Sequence, residues 1–331
     1  MTHYLRHLRD RLRVASYVRR QLRPFNHALP RLAVDIRPQG GYPYDVELRR
    51  TGDVLAIGIT FHDRLLLHWH VRRRLAPYIH YLLESGLESA CFTVATSDGQ
   101  EPTQADFAYS SNDPSVQLLP DAFFFDHRGF AADLRLADET AISWNDRRDA
   151  IVWRGGSNGI GALPWPGSPP DNPRLAPRVS LCLLAREIEG LDAGIYESGH
   201  PFWPNDALDR LGLRRPARPE AEWLGDKFAI DIDGWTNTWT NLLRRLHYGC
   251  CVLKVESAFG YRQWYYDRLQ PWQHYIPIRA DMADLGEKID WARTYPTRSS
   301  EVARAGQEFA RSLTFESETR WAAEKIAQRL G

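Results

Sequence analysis

The 331-residue chain is poor in sulfur and has no long apolar run. Its four cysteines, Cys91, Cys182, Cys250 and Cys251, form no C-x-x-C pair. They read as reduced core residues rather than metal ligands or disulfide partners. No stretch approaches the ~18 apolar residues of a membrane span, and no apolar h-region follows Met1. The expectation is a cytoplasmic chain without disulfides. Net charge is also lacking: Lys and Arg total 42 and Asp and Glu total 42. A dedicated nucleic-acid binder usually carries a basic excess, so no nucleic-acid partner is expected. Internal repeats and low-complexity segments are missing too.

What is present fits a globular protein, with 43% hydrophobic and 25% charged residues. The length suits two domains better than one core. Twelve tryptophans stand out; aromatic faces serve carbohydrate sites, but they also fill cores. Residues 3–24 place Leu5, Leu8, Leu12, Ala15 and Leu22 near one helical face among many arginines. Such a basic amphipathic helix suits either peripheral contact with an anionic membrane or docking on the protein body. His68 and His70 have the spacing of two ligands on one strand face, and His80 lies further on. No third ligand stands nearby.

Period and punctuation predict alternating strands and helices. DVLAIGITF (53–61) falls in a strand or hairpin, Leu75–Ser85 in a helix ended near Gly86, and Ala90–Thr96 in a buried strand. LLPDAFFF (118–125) reads as core, and 128–148 as charged surface and linker. A strand covers 150–153, a proline-rich loop 164–177, and a helix 179–190. Lys227–Tyr275 then reads strand, helix, strand, helix: FAIDI (228–232), a helix through Trp239, Leu242, Leu243 and Leu246, a stop at Gly249, CCVLKV (250–255), and a last helix before Tyr275. Two buried strands joined by a short helix make a right-handed βαβ unit. Three helices follow, over 281–292 with Asp281 as N-cap, 298–313 and 315–330.

Open parallel sheets bind ligands at the carboxyl ends of their strands. Three stretches fall there. Asp98 follows the strand at 90–96 as either a chemical carboxylate or an Asx-turn residue. Arg154-Gly155-Gly156-Ser157 follows the strand at 150–153, as either a glycine-rich turn or a phosphate cradle with a forked cation beside it. Asp233 to Thr238 and Glu256-Ser257 follow the next two strands. There Thr236, Asn237 and Thr238 offer N-cap side chains, and Asp231-Ile232-Asp233 forms a D-x-D suited to a hard cation.

The IDG…NT…T signature, the VLK…ES strand end, WYY…L…PW…HYIP and the tail D…DL…EKIDW…GQEFAR together resemble glycosyltransferase family 90. The resemblance runs from about Ala90 to Ala327. It implies an α/β chain of two facing Rossmann-like, GT-B-like domains with the active site in the cleft between them. The domains expected are 1–148 on the acceptor side and 149–314 on the donor side, with a helix over 315–331 packing back on the first. It implies an inverting transferase moving a sugar from a UDP-sugar to a hydroxyl, without a metal cofactor. Asp98 would then be the catalytic base. Arg154, Gly155, Gly156, Ser157, Arg178, Asn237, Thr238, Thr240 and Glu256 would bind the donor. The resemblance puts an arginine of many relatives where this chain has Leu242, so either Arg244 or Arg245 substitutes from the next turn, or donor preference has changed, or activity is weak. A lipopolysaccharide or other envelope glycan is the expected acceptor. Two alternatives stand beside this reading: a catalytically silent nucleotide-sugar or glycan binder, and a metal-dependent transferase using Asp231 and Asp233.

Overall fold

The computed structural model describes residues 2–25, 27–37, 41–60, 70–165, 168–198 and 203–331. The chain divides into two compact units, Met1–Gly129 with Thr314–Gly331, and Phe130–Leu313.

The first unit opens with helix α1 (Thr2–Leu22), then strands β1 (Arg31–Arg37), β2 (Asp45–Thr51) and β3 (Val54–Thr60). Helix α2 (His70–Glu84) leads to β4 (Ser89–Ala95), the short β5 (Phe107–Ala108) and β6 (Gln117–Leu118), and α3 (Ala122–Asp126). The sheet order is β1-β3-β2-β4-β5-β6. It is mixed, because β2 runs antiparallel to both β3 and β4. The cause is local. Thr51 pairs with Val54 across the two-residue loop Gly52-Asp53, and Gly52 has φ +57°, as a tight hairpin requires. The first unit therefore departs from the doubly wound pattern.

Helix α2 buries Leu75, Tyr78, Ile79 and Leu82, the stripe of a core-facing helix, and Gly86 follows it at φ +72°. Helix α1 buries Val14, Ala15, Val18 and Leu22 against α2 and β1. Its carboxyl half is thus docked, while Leu12 is 62% exposed. The side chains of Leu5 and Leu8 lie outside the described residues, as does His68. In α3, Asp121 caps the helix by accepting from Phe123 N and Phe124 N, and Phe124 and Phe125 are buried.

The second unit begins with α4 (Ala131–Thr140). The stretch 128–148, read as surface and linker, therefore contains a helix. It is entered through Phe130, which is buried with φ 61°. Strand β7 (Arg148–Gly156), α5 (Pro177–Leu184), β8 (Leu191–Glu197), α6 (Asn205–Arg210) and β9 (Asp226–Asp231) follow. Then come α7 (Asn241–His247), β10 (Cys251–Val255), β11 (Ile276–Ile278), α8 (Leu285–Thr294) and α9 (Pro296–Ser312). All neighbours in this sheet are parallel, in the order β11-β10-β9-β7-β8. The winding reverses between β7 and β9, which makes their shared carboxyl end the topological switch point. Helix α8 starts at Leu285 after Asp284, later than expected. Asp281 instead accepts from Ala283 N in the preceding turn at 3.1 Å. The last helix, α10 (Phe315–Leu330), belongs to the first unit and packs on α2.

Cys182, Cys250 and Cys251 are buried and free, but Cys91 is exposed. It sits at an outward position of β4, whose alternate residues Ala90, Phe92 and Val94 face the core. No helix among the described residues is long and apolar enough to cross a membrane.

The βαβ unit of β9, α7 and β10 is held by a buried ion pair. Lys254 Nζ stands 3.2 Å from Asp231 Oδ2, and neither side chain is appreciably exposed. Removing one partner of such a pair leaves an uncompensated buried charge. Lys254→Met is therefore expected to cost roughly 3–5 kcal/mol in urea unfolding, and the double variant Asp231→Asn/Lys254→Met to recover part of it. Equal stability of Lys254→Met and wild type would show that the pair supports nothing.

Candidate functional site

The carboxyl ends of β7 and β9 are joined by one side chain. Pro177 opens α5 at its first position, where its missing N–H costs nothing, and this delivers Arg178 to the switch point. Arg178 Nε donates to Asp233 O at 3.0 Å, Nη1 to Gly156 O at 3.1 Å and Nη2 to Ile232 O at 3.2 Å. Its guanidinium also lies 5.6 Å from the Trp153 ring. A Cβ on Gly234 would stand 3.1 Å from Arg178 Nη2, so glycine lets the loop close over the cation. Burial lowers the Arg178 pKa, with Asp233 and Asp231 opposing.

Beside it the two acids of the D-x-D meet opposite fates. Asp231 is fully buried and committed, to Lys254 and to Asn241 Nδ2 at 2.9 Å. Both carboxylate oxygens of Asp233 are shielded from solvent without a hydrogen-bond partner in good geometry. Burial pushes Asp233 up to about 6, against the lowering effect of Lys254 and the Ser257 hydroxyl. A cation clamp using both acids would have to break the Lys254 pair, so the Asp231–Asp233 metal reading does not fit these residues. Asp233 instead lines a narrow cleft with Pro177, Trp235, Thr236, Glu256 and Phe259. Glu256 is exposed at the end of β10, where its N–H bonds Ile278 O at 2.9 Å.

The other residues singled out from the sequence fall as follows. Gly155 and Gly156 lie within β7 rather than in a turn, with a register shift between them. A Cβ on Gly155 would come 2.5 Å from the Trp153 indole. The Ser157 N–H is spent on Glu197 O at 3.1 Å, so it is not offered to a ligand. Arg154 is folded onto β8, donating to Asp192 Oδ2 at 2.6 Å and Asp192 O at 2.8 Å. Asn237 is buried, and its Oδ1 accepts from Trp239 N at 2.7 Å. Trp239 has φ 52°, which ends any helix there. Helix α7 begins only at Asn241, with Thr240 as a cap residue that makes no side-chain bond. Thr238 Oγ1 is shielded and unpartnered. Leu242 is fully buried. Arg244 and Arg245 are already engaged, the first with Asp133 at 3.1 Å and the second with Glu220 at 3.0 Å. Neither can fill the place of the missing arginine without leaving these partners.

Asp98 belongs to the first unit. Its carboxylate is paired with the buried Arg74 guanidinium, which also donates to Thr96 O at 3.0 Å. Gly99 follows at φ +107°, where a Cβ would stand 2.7 Å from Ser110 O. The turn after β4 is thus fixed, and Arg74 sets the direction of the acid. Sequence reasoning missed Arg74, Trp235 and Phe259. Arg74 sits in a run of arginines that reads as one solvated face. Phe259, 47% exposed, had a signal: an aromatic three residues beyond an acid at a strand end.

Residues 174–318 match the model of glycosyl transferase family 90, which bears out the family read from the sequence. That stretch contains Arg178, the 231–240 loop and Glu256; Asp98 and 154–157 lie outside it. A relative in Danio rerio, Protein O-glucosyltransferase 2, is 41% identical over 86 residues, covering 26% of this chain and 17% of the relative. Uncharacterized protein 179R of Invertebrate iridescent virus 6 is 28% identical over 192 residues, covering 52% of this chain and 16% of the relative. The chain thus spans less than a quarter of the length of either relative. The crystal structure of Anabaena Alr3699/HepE in complex with UDP-glucose aligns with a TM-score of 0.36 and 11% identity, covering 60% of this chain and 53% of that one; the likeness is too slight to argue from.

The raised Asp233 pKa has a measurable sign. Between about pH 4 and 6 the folded chain keeps a proton that the unfolded chain has lost. Stability from this group is greatest below that window and falls as pH rises through it, by up to roughly 3 kcal/mol. Asp233→Asn abolishes the titration, so the variant should gain on wild type as pH rises from 4 to 7. Melting curves that keep a constant offset across that range would contradict the shielded carboxyl.

Proposed function

We propose that this chain transfers a sugar from a nucleoside diphosphate donor, UDP-linked, to a hydroxyl group, with inversion at the anomeric carbon. The observation that carries the reading is the β7–β9 switch point, where buried Arg178 donates to Asp233 O and the shielded Asp233 carboxyl lines a narrow cleft with the exposed Glu256. Ligands of open α/β sheets sit at such points. A forked guanidinium suits a diphosphate, and carboxylates there suit the hydroxyls of a ribose or sugar. The 174–318 match to a glycosyltransferase family supports the same assignment.

In this mechanism the acceptor oxygen attacks the anomeric carbon in line. Its proton passes to the Asp98 carboxylate, and the bond to the diphosphate oxygen breaks with its electron pair. Arg74 orients Asp98, and Arg178 offsets the charge left on the diphosphate. The chemistry asks for no metal ion. The acceptor reading, an envelope glycan reached at an anionic membrane, rests on the exposed Arg9, Arg13, Arg19, Arg20 and Arg23 of the first unit. A silent nucleotide-sugar binder is the second reading, favoured by Leu242 standing where relatives have an arginine.

Calorimetry with UDP and a UDP-release assay test these readings. Arg178→Lys keeps the charge but loses the fork, and should weaken UDP binding roughly tenfold or more. Asp98→Asn should keep UDP affinity and lose 10²–10⁴-fold in transfer. UDP affinity unchanged in Arg178→Lys would move the diphosphate elsewhere. Binding of UDP with no turnover on any glycan acceptor, in wild type as in Asp98→Asn, would favour the silent binder.

A further inference from the structure

We propose that His27, His80 and Glu84 form a binding site for a divalent first-row transition ion of the zinc class, separate from the sugar-transfer chemistry. The three converge from two elements. His80 and Glu84 lie one turn apart on α2 and so share a face. His27 comes from the segment that follows α1 and a 3₁₀ turn, Arg23–Phe25. His27 Nε2 is 2.7 Å from His80 Nδ1 and 3.5 Å from Glu84 Oε1. The three ligand atoms all lie within 4.8 Å of one another. A tetrahedral zinc ion with bonds of about 2.0–2.1 Å separates its ligands by about 3.3 Å. The site needs only a small opening between the two rings to reach that geometry.

The hydrogen count points the same way. Two ring nitrogens 2.7 Å apart can hold one proton between them and no more, because two facing N–H groups would clash. If His80 supplies that proton, the His27 lone pair is turned toward both His80 and the Glu84 oxygen. If His27 supplies it, His80 carries its own proton on Nε2, which is buried, and the same tautomer is the one that leaves Nδ1 free for a cation. Three atoms able to donate lone pairs thus converge, and a cation would meet all three lone pairs at once. Two imidazoles and one carboxylate, with a fourth position open, are a ligand set for zinc and its neighbours in the series.

The surroundings fix the ligands and leave an entry path. His80 is 2% exposed and is packed by Phe25, with ring centroids 4.0 Å apart, and by Phe125 at 5.4 Å. His80 and Glu84 line a cavity of about 650 Å³, and His27 lines a second of about 730 Å³. Arg128 shares the first cavity and opposes a cation. Its guanidinium is stacked 3.8 Å from the Phe25 ring, and Glu316 faces it. The ion would pin His27 to α2. His68 and His70, the pair suggested by spacing alone, take no part in this assignment.

The test uses the untagged full chain, stripped of metal with chelator and titrated with Zn²⁺ and Co²⁺. Wild type should bind one equivalent at micromolar or tighter affinity, show the absorption bands of four-coordinate Co²⁺, and melt at higher temperature with Zn²⁺. His27→Ala and Glu84→Gln change partly exposed side chains, so both should fold as judged by circular dichroism. Each should bind at least tenfold more weakly and lose the thermal shift. No saturable binding by wild type below about 100 μM overturns the site. So does binding by both folded variants with unchanged affinity, which would place the ion on other residues. None of these readouts involves UDP, so the result is independent of the donor assignment.

Discussion

The Arg178 guanidinium is the interaction on which the carboxyl edge of the second unit's sheet depends. It donates to carbonyls at the end of β7 and just beyond β9, the two strands between which the sheet reverses its winding. Main-chain carbonyls at strand ends have no partner in the ladder and must find one or face water. Here one side chain serves three of them. A Cβ on Gly234 would crowd the guanidinium at 3.1 Å, and Pro177 starts α5 so that the next residue reaches the strand-end carbonyls. Removing the fork would free three carbonyls together, so the loop from Ile232 to Thr240 and the end of β7 should respond as one piece.

The D-x-D shows how burial sorts two identical side chains. Two residues apart on an extended chain, both acids face the same side. Asp231 falls where Lys254 of β10 and Asn241 of α7 can reach it, and it becomes part of the core. Asp233 lies beyond the last strand pairing, where the sheet offers no such partners, and it keeps a proton to about pH 6. A buried acid with few donors around it is costly in a resting protein. It ceases to be costly when a ligand hydroxyl donates to it.

Much of this was legible in the sequence. The run FAIDI, the stop at Gly249 and CCVLKV mark β9, the end of α7 and β10, because apolar period and a left-handed glycine are local signals; Gly249 has φ +70°. The errors have physical causes as well. Thr236 to Thr238 look like helix caps, but Trp239 adopts positive φ and the helix waits for Asn241. Arg154 beside two glycines looks like an anion cradle. Its nearest anion is Asp192 on the neighbouring strand, a pairing set by sheet register. The hairpin at Gly52-Asp53 is one of two readings of 53–61, but that reading does not extend to β2 also running antiparallel to β4, which makes the first unit's sheet mixed. The His27–His80 contact joins residues 53 apart, beyond any spacing rule.

The distribution of arginines explains why Arg178 rather than its neighbours suits an anionic ligand. Arg154 is satisfied by Asp192, Arg244 by Asp133, and Arg245 by Glu220 while stacked 3.7 Å from the Trp223 ring. Each of these cations has a carboxylate at bonding distance, and recruiting it to a phosphate would strand that carboxylate. Arg178 bonds to carbonyl dipoles instead, which offset part of a charge without neutralising it. In a buried setting such a residual charge is felt strongly over a few ångströms, because little water screens it. Leu242 fits the same picture. It is fully buried within α7, so its side chain packs the unit rather than meeting a ligand. An arginine at that position would bring another cation into the core of this unit. With leucine there, the proposed diphosphate contact rests on Arg178.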